Sequence, residues 1–284
     1  MSVKITECPR DAMQGLHDFI PTNTKISYLQ SLLAVGFDVI DCGSFVSPKA
    51  IPQMADSCQV ISALSKAGSL TKLSVVVANI RGAKAAADQN NIDIIGFPFS
   101  ISETFQLKNT NSTISDSLIR VDGILEVCHA TGKQPLIYIS MAFGNPYGDE
   151  WSESVASNWI DVLSARGVTR FSLADTVGVA EPEAIQTLFS GLIDQYPNFE
   201  FSAHLHTHAG NWRQKVNAAY SAGCRHFESA LLGFGGCPMA GNDLVGNLST
   251  ENLVEFLNEQ KVSLKIDPER FSEVKAQAQS IFDN

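Results

Sequence analysis

The chain contains no apolar run approaching the roughly 20 residues that span a bilayer, and it contains no C-x-x-C pair. The first absence argues against a membrane-spanning helix, the second against a zinc knuckle. Its six cysteines (Cys8, Cys42, Cys58, Cys128, Cys224 and Cys237) are scattered, and reduced thiols are expected. Positive charge is also scarce: 20 Lys and Arg stand against 30 Asp and Glu, a net charge of -10. No nucleic-acid surface is expected from that balance. An anionic substrate must then be met by local cations or by a metal. No G-x-G-x-x-G follows the first strand candidate, which weighs against a dinucleotide-binding sheet. The N-terminal M-S-V-K-I-T-E lacks an apolar secretory core, so a cytoplasmic protein is expected.

What is present is regular alternation. With 284 residues, 44% hydrophobic and 18% charged, the composition is globular. Short β-branched runs fall at V-K-I-T-E-C (3–8), F-D-V-I-D-C (37–42), K-L-S-V-V-V-A (72–78) and I-D-I-I-G-F (92–97). Four more follow at P-L-I-Y-I-S (135–140), R-F-S-L-A (170–174), E-F-S-A-H-L-H (200–206) and H-F-E-S-A-L (226–231). Between them lie amphipathic helical patterns, such as K-I-S-Y-L-Q-S-L-L-A-V-G, stopped by a glycine. Other helices stop at Gly132, Gly167 and Gly223. Strict strand–helix alternation gives a parallel sheet, and eight such units predict a closed (β/α)8 barrel. The expected α/β fold is one barrel domain over residues 1–284 with a C-terminal helical extension at about 265–284. An open doubly wound sheet is the runner-up.

Active sites of such barrels lie where the strands finish. Polar groups gather there: Arg10 and Asp11 after strand one, Asp41 at the end of strand two, Asn79 and Arg81 after strand three, and Ser140 after strand five. Asp175 follows strand six, and H-L-H-T-H closes strand seven. Strand eight runs into G-F-G-G-C-P-M-A-G-N-D-L-V-G-N, holding Cys237 and Asn247. Side chains two apart on a strand share a side, so His204 and His206 can converge. His208 lies at or beyond the strand end, where solvation alone would account for it. With Asp11 and an amide oxygen such as that of Asn247, the donor set suits Mg²⁺ or Mn²⁺, and also Zn²⁺. An H-x-H pair alone is weak evidence, since polar strand ends also carry one. The acid on a second strand end strengthens it. Cys237 sits in a glycine-rich loop suited to a mobile lid, where a thiol can act as acid or nucleophile. Arg10 can polarise a carbonyl or hold an enolate oxygen. Asp41 and Asp175 can orient Arg10 or the metal ligands, or serve as ordinary ion-pair partners. His226 and His129 read as structural or exposed.

The segments E-C-P-R-D-A-M-Q, V-I-D-C-G-S-F-V-S-P-K-A-I-P-Q-M, S-L-A-D-T-V-G-V, H-L-H, G-F-G-G-C-P and G-N-L-S-T-E-N-L, taken in order, resemble the 3-hydroxy-3-methylglutaryl-CoA lyase family of the DRE-TIM metallolyases. The resemblance implies metal ligands at Asp11, His204, His206 and Asn247. It implies a carbonyl-polarising Arg10, a loop Cys237, and supporting acids Asp41, Asp175 and Glu251. Three features depart from the family pattern: Thr207-His208-Ala209 before Gly210, Asp41 where many relatives carry Glu, and A-M-Q after P-R-D. The implied reaction is metal-dependent retro-Claisen cleavage of an acyl-CoA, with His204 or Asp11 as the base. Lys49 is a candidate contact for a CoA phosphate, and a homodimer is expected. The alternatives are a lyase or Claisen-type synthase on another 3-hydroxyacyl-CoA or a 2-oxo acid, and a metal-binding barrel without catalysis.

Overall fold

The computed structural model describes residues 2–236 and 245–282. Its eight strands are β1 (Lys4–Glu7), β2 (Val39–Ser44), β3 (Lys72–Val76), β4 (Ile94–Ser100), β5 (Gln134–Ser140), β6 (Arg170–Ala174), β7 (Glu200–His204) and β8 (His226–Ser229). Each pairs in parallel with the next, and β8 returns to β1 in the register Lys4↔His226 through Glu7↔Ser229. That last pairing closes the barrel and removes the open sheet.

Most strand ends differ by one to three residues from the sequence reading, and two of these differences bear on the site. β2 runs past Asp41 to Ser44, with a register shift between Asp41 and Gly43. β7 stops at His204; beyond it His206 makes an isolated antiparallel bridge to Asn247. Asn79, read as a strand-end group, caps the helix Ile80–Ala87 by accepting from the Gly82 amide at 3.0 Å.

Strand alternation divides the residues between two environments. Ile5, Leu73, Ile95, Phe97, Ile137, Phe171 and Phe227 are each at most 2% exposed and belong to the apolar core. The intervening positions fill the barrel interior, and many are polar: Thr6, Ser74, Ser172, Ser202 and Glu228. A barrel interior is ordinarily packed with branched aliphatics. Here the polar interior forms a floor under the strand ends.

The C-terminal helix Pro268–Phe282 buries Val274, Ala278 and Phe282, a stripe at four-residue steps. It lies against the helix Thr22–Val35, with the Tyr28 and Phe282 rings 5.9 Å apart. Gly36 makes that approach possible: its φ is +99°, and a Cβ there would lie 2.6 Å from the Lys265 carbonyl oxygen. Among the described residues, no helix is long and apolar enough to cross a membrane.

Candidate active site

Pro9 opens a short helix, Pro9–Gln14, directly after β1, and this turn carries Arg10 and Asp11 to the barrel mouth. Both are buried, at 7% exposure. Arg10 donates from Nε (2.9 Å) and Nη2 (2.6 Å) to Oδ2 of Asp41. Its Nη1 donates to Asp11 Oδ1 and to Gln14 Oε1, each at 2.9 Å. Burial opposes the charge on Arg10, but Asp41 and then Asp11 outweigh it and keep the guanidinium charged. Asp11 also accepts from Gln14 Nε2 at 2.7 Å and from Asn247 Nδ2 at 2.7 Å. Burial would raise the Asp11 carboxyl, yet Arg10 and the two histidines bring it down to about 2. It is therefore an anion at any physiological pH.

Asp11, His204 and His206 each offer a ligand atom, and these atoms lie within 4.8 Å of one another. Hydrogen bonds fix both imidazoles. His206 Nδ1 donates to the Asp175 carbonyl at 2.7 Å, so Nε2 carries the lone pair. That Nε2 is buried and has no partner among the described residues. Burial first, and then His204, lower the His206 pKa and keep it neutral. His204 Nδ1 meets Glu228 Oε2 at 3.0 Å, leaving Nε2 as the other ring nitrogen. Burial disfavours a charged His204, but the hydrogen bond and charge of Glu228 raise its pKa overall. Asn247 Nδ2 donates to Asp11 and to the Phe234 carbonyl (2.9 Å), both pure acceptors. Its Oδ1 is thus the atom left for a ligand. An orphaned imidazole nitrogen, a second oriented imidazole, a carboxylate and an amide oxygen fit a divalent cation.

The supporting acids divide by role. Asp41 grips Arg10. Asp175 accepts from Lys215 Nζ at 2.6 Å and from the Ala180 amide at 2.9 Å, and its backbone orients His206. Glu251 accepts from the Leu232 amide (3.0 Å to Oε2) and from Ser249 Oγ (2.7 Å), at the base of the glycine loop. Leu232 there has φ +63°. Lys49 is exposed on the loop after β2. His208 is exposed, with Nδ1 accepting from the Gly210 amide at 3.1 Å, and does not join the cluster. Cys237 lies outside the described residues.

Sequence reasoning missed three groups. Glu228 orients His204; its sign was the alternation H-F-E-S, which puts His226 and Glu228 on one interior face. Lys215, buried on the helix Trp212–Ser221, carried no sequence sign at all. Glu7 is fully buried and accepts from the Leu231 amide (2.8 Å) and from Thr250 Oγ1 (2.6 Å). Desolvation pushes its carboxyl up to about 8. The folded state therefore holds this proton more tightly than the unfolded chain. Its contribution is full below the usual carboxylate range and is lost as pH rises toward 8. Urea unfolding between pH 5 and 9 should show wild-type stability falling more steeply than that of Glu7→Gln. Parallel curves would refute the assignment.

Residues 3–277 match the HMGL-like family model. The chain belongs to the HMGL-like family. Curated relatives of this HMGL-like chain include the mitochondrial hydroxymethylglutaryl-CoA lyase of Bos taurus, 34% identical over 258 residues, spanning 90% of this chain and 78% of that one. The cytoplasmic 3-hydroxy-3-methylglutaryl-CoA lyase of Rattus norvegicus is 30% identical over 266 residues, spanning 93% and 77%. Among solved structures, the HMG-CoA lyase from Brucella melitensis superposes with a TM-score of 0.92 at 29% identity, covering 100% of this chain and 99% of that one. The (β/α)8 architecture is thus shared throughout this HMGL-like chain.

Proposed function

We propose that the protein cleaves 3-hydroxy-3-methylglutaryl-CoA to acetoacetate and acetyl-CoA. The observation that carries this reading is the convergence of Asp11, His204 and a His206 Nε2 without a partner among the described residues, beside a charged Arg10. When bound by Asp11, His204, His206 and Asn247, a divalent cation (Mg²⁺ or Mn²⁺) supplies Lewis acidity that lowers the pKa of the substrate's C3 hydroxyl.

The remaining steps belong to the chain's own groups. Two of them, Asp11 and His204, can take the hydroxyl proton. The C2–C3 bond then breaks: C3 becomes the ketone of acetoacetate, and C2 keeps the electron pair as the acetyl-CoA enolate. Arg10 meets the growing charge on the thioester oxygen, already oriented by Asp41 and Gln14. Cys237 delivers a proton to C2. Lys49 takes a CoA phosphate. The same reading makes residues 1–284 one domain, working as a cytoplasmic homodimer; light scattering and cell fractionation test the last two points.

The deciding assay mixes cation-loaded protein with 3-hydroxy-3-methylglutaryl-CoA and follows both products by mass spectrometry. Acetoacetate and acetyl-CoA should form in equal amounts, and Cys237→Ala should lower the rate at least about 10²-fold, the lower range for acid–base groups, with cation binding intact. Wild-type protein that binds the cation but forms neither product would refute the assignment. It would favour another acyl-CoA or an inactive barrel.

A further inference from the structure

The reaction above makes no use of Cys8, yet this thiol lies in the floor of the site. Cys8 follows β1 two residues after Thr6, whose hydroxyl meets His226 Nε2 at 2.8 Å inside the barrel. The period of two sends Cys8 into the same interior, one level nearer the mouth. It is 1% exposed, and Glu228 is 2% exposed. The Cys8 Sγ, a ring nitrogen of His204 and a carboxylate oxygen of Glu228 lie within 4.8 Å of one another. The thiol's hydrogen bond, to the Thr6 carbonyl at 3.9 Å, is long and easily given up.

His204 thus stands between two donor sets. Asp11, His206 and Asn247 offer oxygen and nitrogen on one side. Glu228, already on Nδ1, and Cys8 offer a carboxylate and a thiol on the other. In a tetrahedral zinc site with bonds of about 2.0–2.3 Å, ligand atoms stand about 3.3–3.8 Å apart. Small side-chain rotations bring the three atoms to that spacing. Thiolate ligands select zinc-like ions and disfavour Mg²⁺.

We propose that Cys8, His204 and Glu228 form a second cation site, specific for thiophilic divalent ions such as Zn²⁺, that antagonises the first. Binding displaces two protons: the thiol proton passes to the buffer, and the ring proton that His204 Nδ1 donates to Glu228 moves to Nε2 or to the buffer. Without such an ion the thiol is protonated and inert, since burial and the carboxylates of Glu228, Asp41, Asp11 and Glu7 push its pKa well up. A filled site takes Glu228 away from His204 and sets a second positive charge beside the Asp11 cluster. The two ions therefore weaken each other's binding.

Co²⁺ is the probe, because cobalt bound to thiolate shows a near-ultraviolet charge-transfer band that cobalt bound only to nitrogen and oxygen lacks. Wild type, Cys58→Ser and Cys237→Ser should all show the band at saturating Co²⁺, and Cys8→Ser should lose it. Inhibition of Mg²⁺-supported turnover by Zn²⁺ should be at least about 10-fold weaker in Cys8→Ser, with activity in the absence of Zn²⁺ unchanged. Zinc-edge X-ray absorption of the wild type, which needs no variant, should find one sulfur neighbour at about 2.3 Å. A wild type with no band, a band retained in Cys8→Ser, or zinc with nitrogen and oxygen neighbours alone would each overturn the proposal. The spectra are read without substrate, so failure of the lyase assay leaves them decisive.

Discussion

Arg10→Gln should lower the turnover number about 10²–10³-fold, the range typical of losing one well-placed oxyanion donor. A guanidinium has five N–H donors. Among the described residues, Arg10 directs two bonds at Asp41, one at Asp11 and one at Gln14. One N–H is left over, already oriented by the other four. Glutamine retains polarity but loses both the fork and the charge, and lysine would lose the fork. The same change leaves Asp41 and Asp11 buried without their cation. A stability loss of about 3–5 kcal/mol, usual for a broken buried pair, should accompany the kinetic loss. Cation affinity should not fall, because a positive charge beside Asp11 has been removed. Single-turnover kinetics, thermal unfolding and calorimetry separate the three effects. A variant within fivefold of wild-type turnover would remove Arg10 from the reaction.

Asp11→Asn should weaken Mn²⁺ binding more than about 100-fold, beyond the 10–100-fold expected for an outer partner such as Glu228. Asp11 is the one carboxylate in the Asp11–His204–His206 cluster. Asparagine keeps the shape but sets an amide N–H₂ against one of the two acceptor positions now in use. It must either face the Asn247 donor or abandon Arg10 and Gln14. Calorimetric titration with Mn²⁺ measures the effect directly, and unchanged affinity would show that Asp11 is not a ligand. In the wild type, Asp11 stays ionised down to about pH 2, so it adds no pH dependence in the working range. His204 does add one. Its pKa is raised, and protons compete with the cation for the ring, so affinity should fall as the solution becomes mildly acidic.

Much of this architecture is written locally. Eight alternations of β-branched runs with amphipathic helices require a parallel sheet, and each run names its own strand. The strand ends name most of the polar groups at the mouth, because chain position along a parallel barrel is also height within it. On that basis Arg10, Asp11, His204 and His206 could be brought together from sequence. Other features depend on which strand meets which. Glu228 can hold His204 only because β7 and β8 pair with His204 opposite Glu228. Asn247 reaches Asp11 across 236 residues only because β8 closes onto β1. Lys215 reads as an ordinary helix residue until β6 and β7 place Asp175 beneath it. His208 leaves the cluster because β7 stops at His204 and the chain turns, ending the period of two. Sequence patterning determines the strands and the face each side chain takes, since both follow from the chain's own repeat. The pairing of buried polar groups is set by register and closure, which exist only once every strand has found its neighbour.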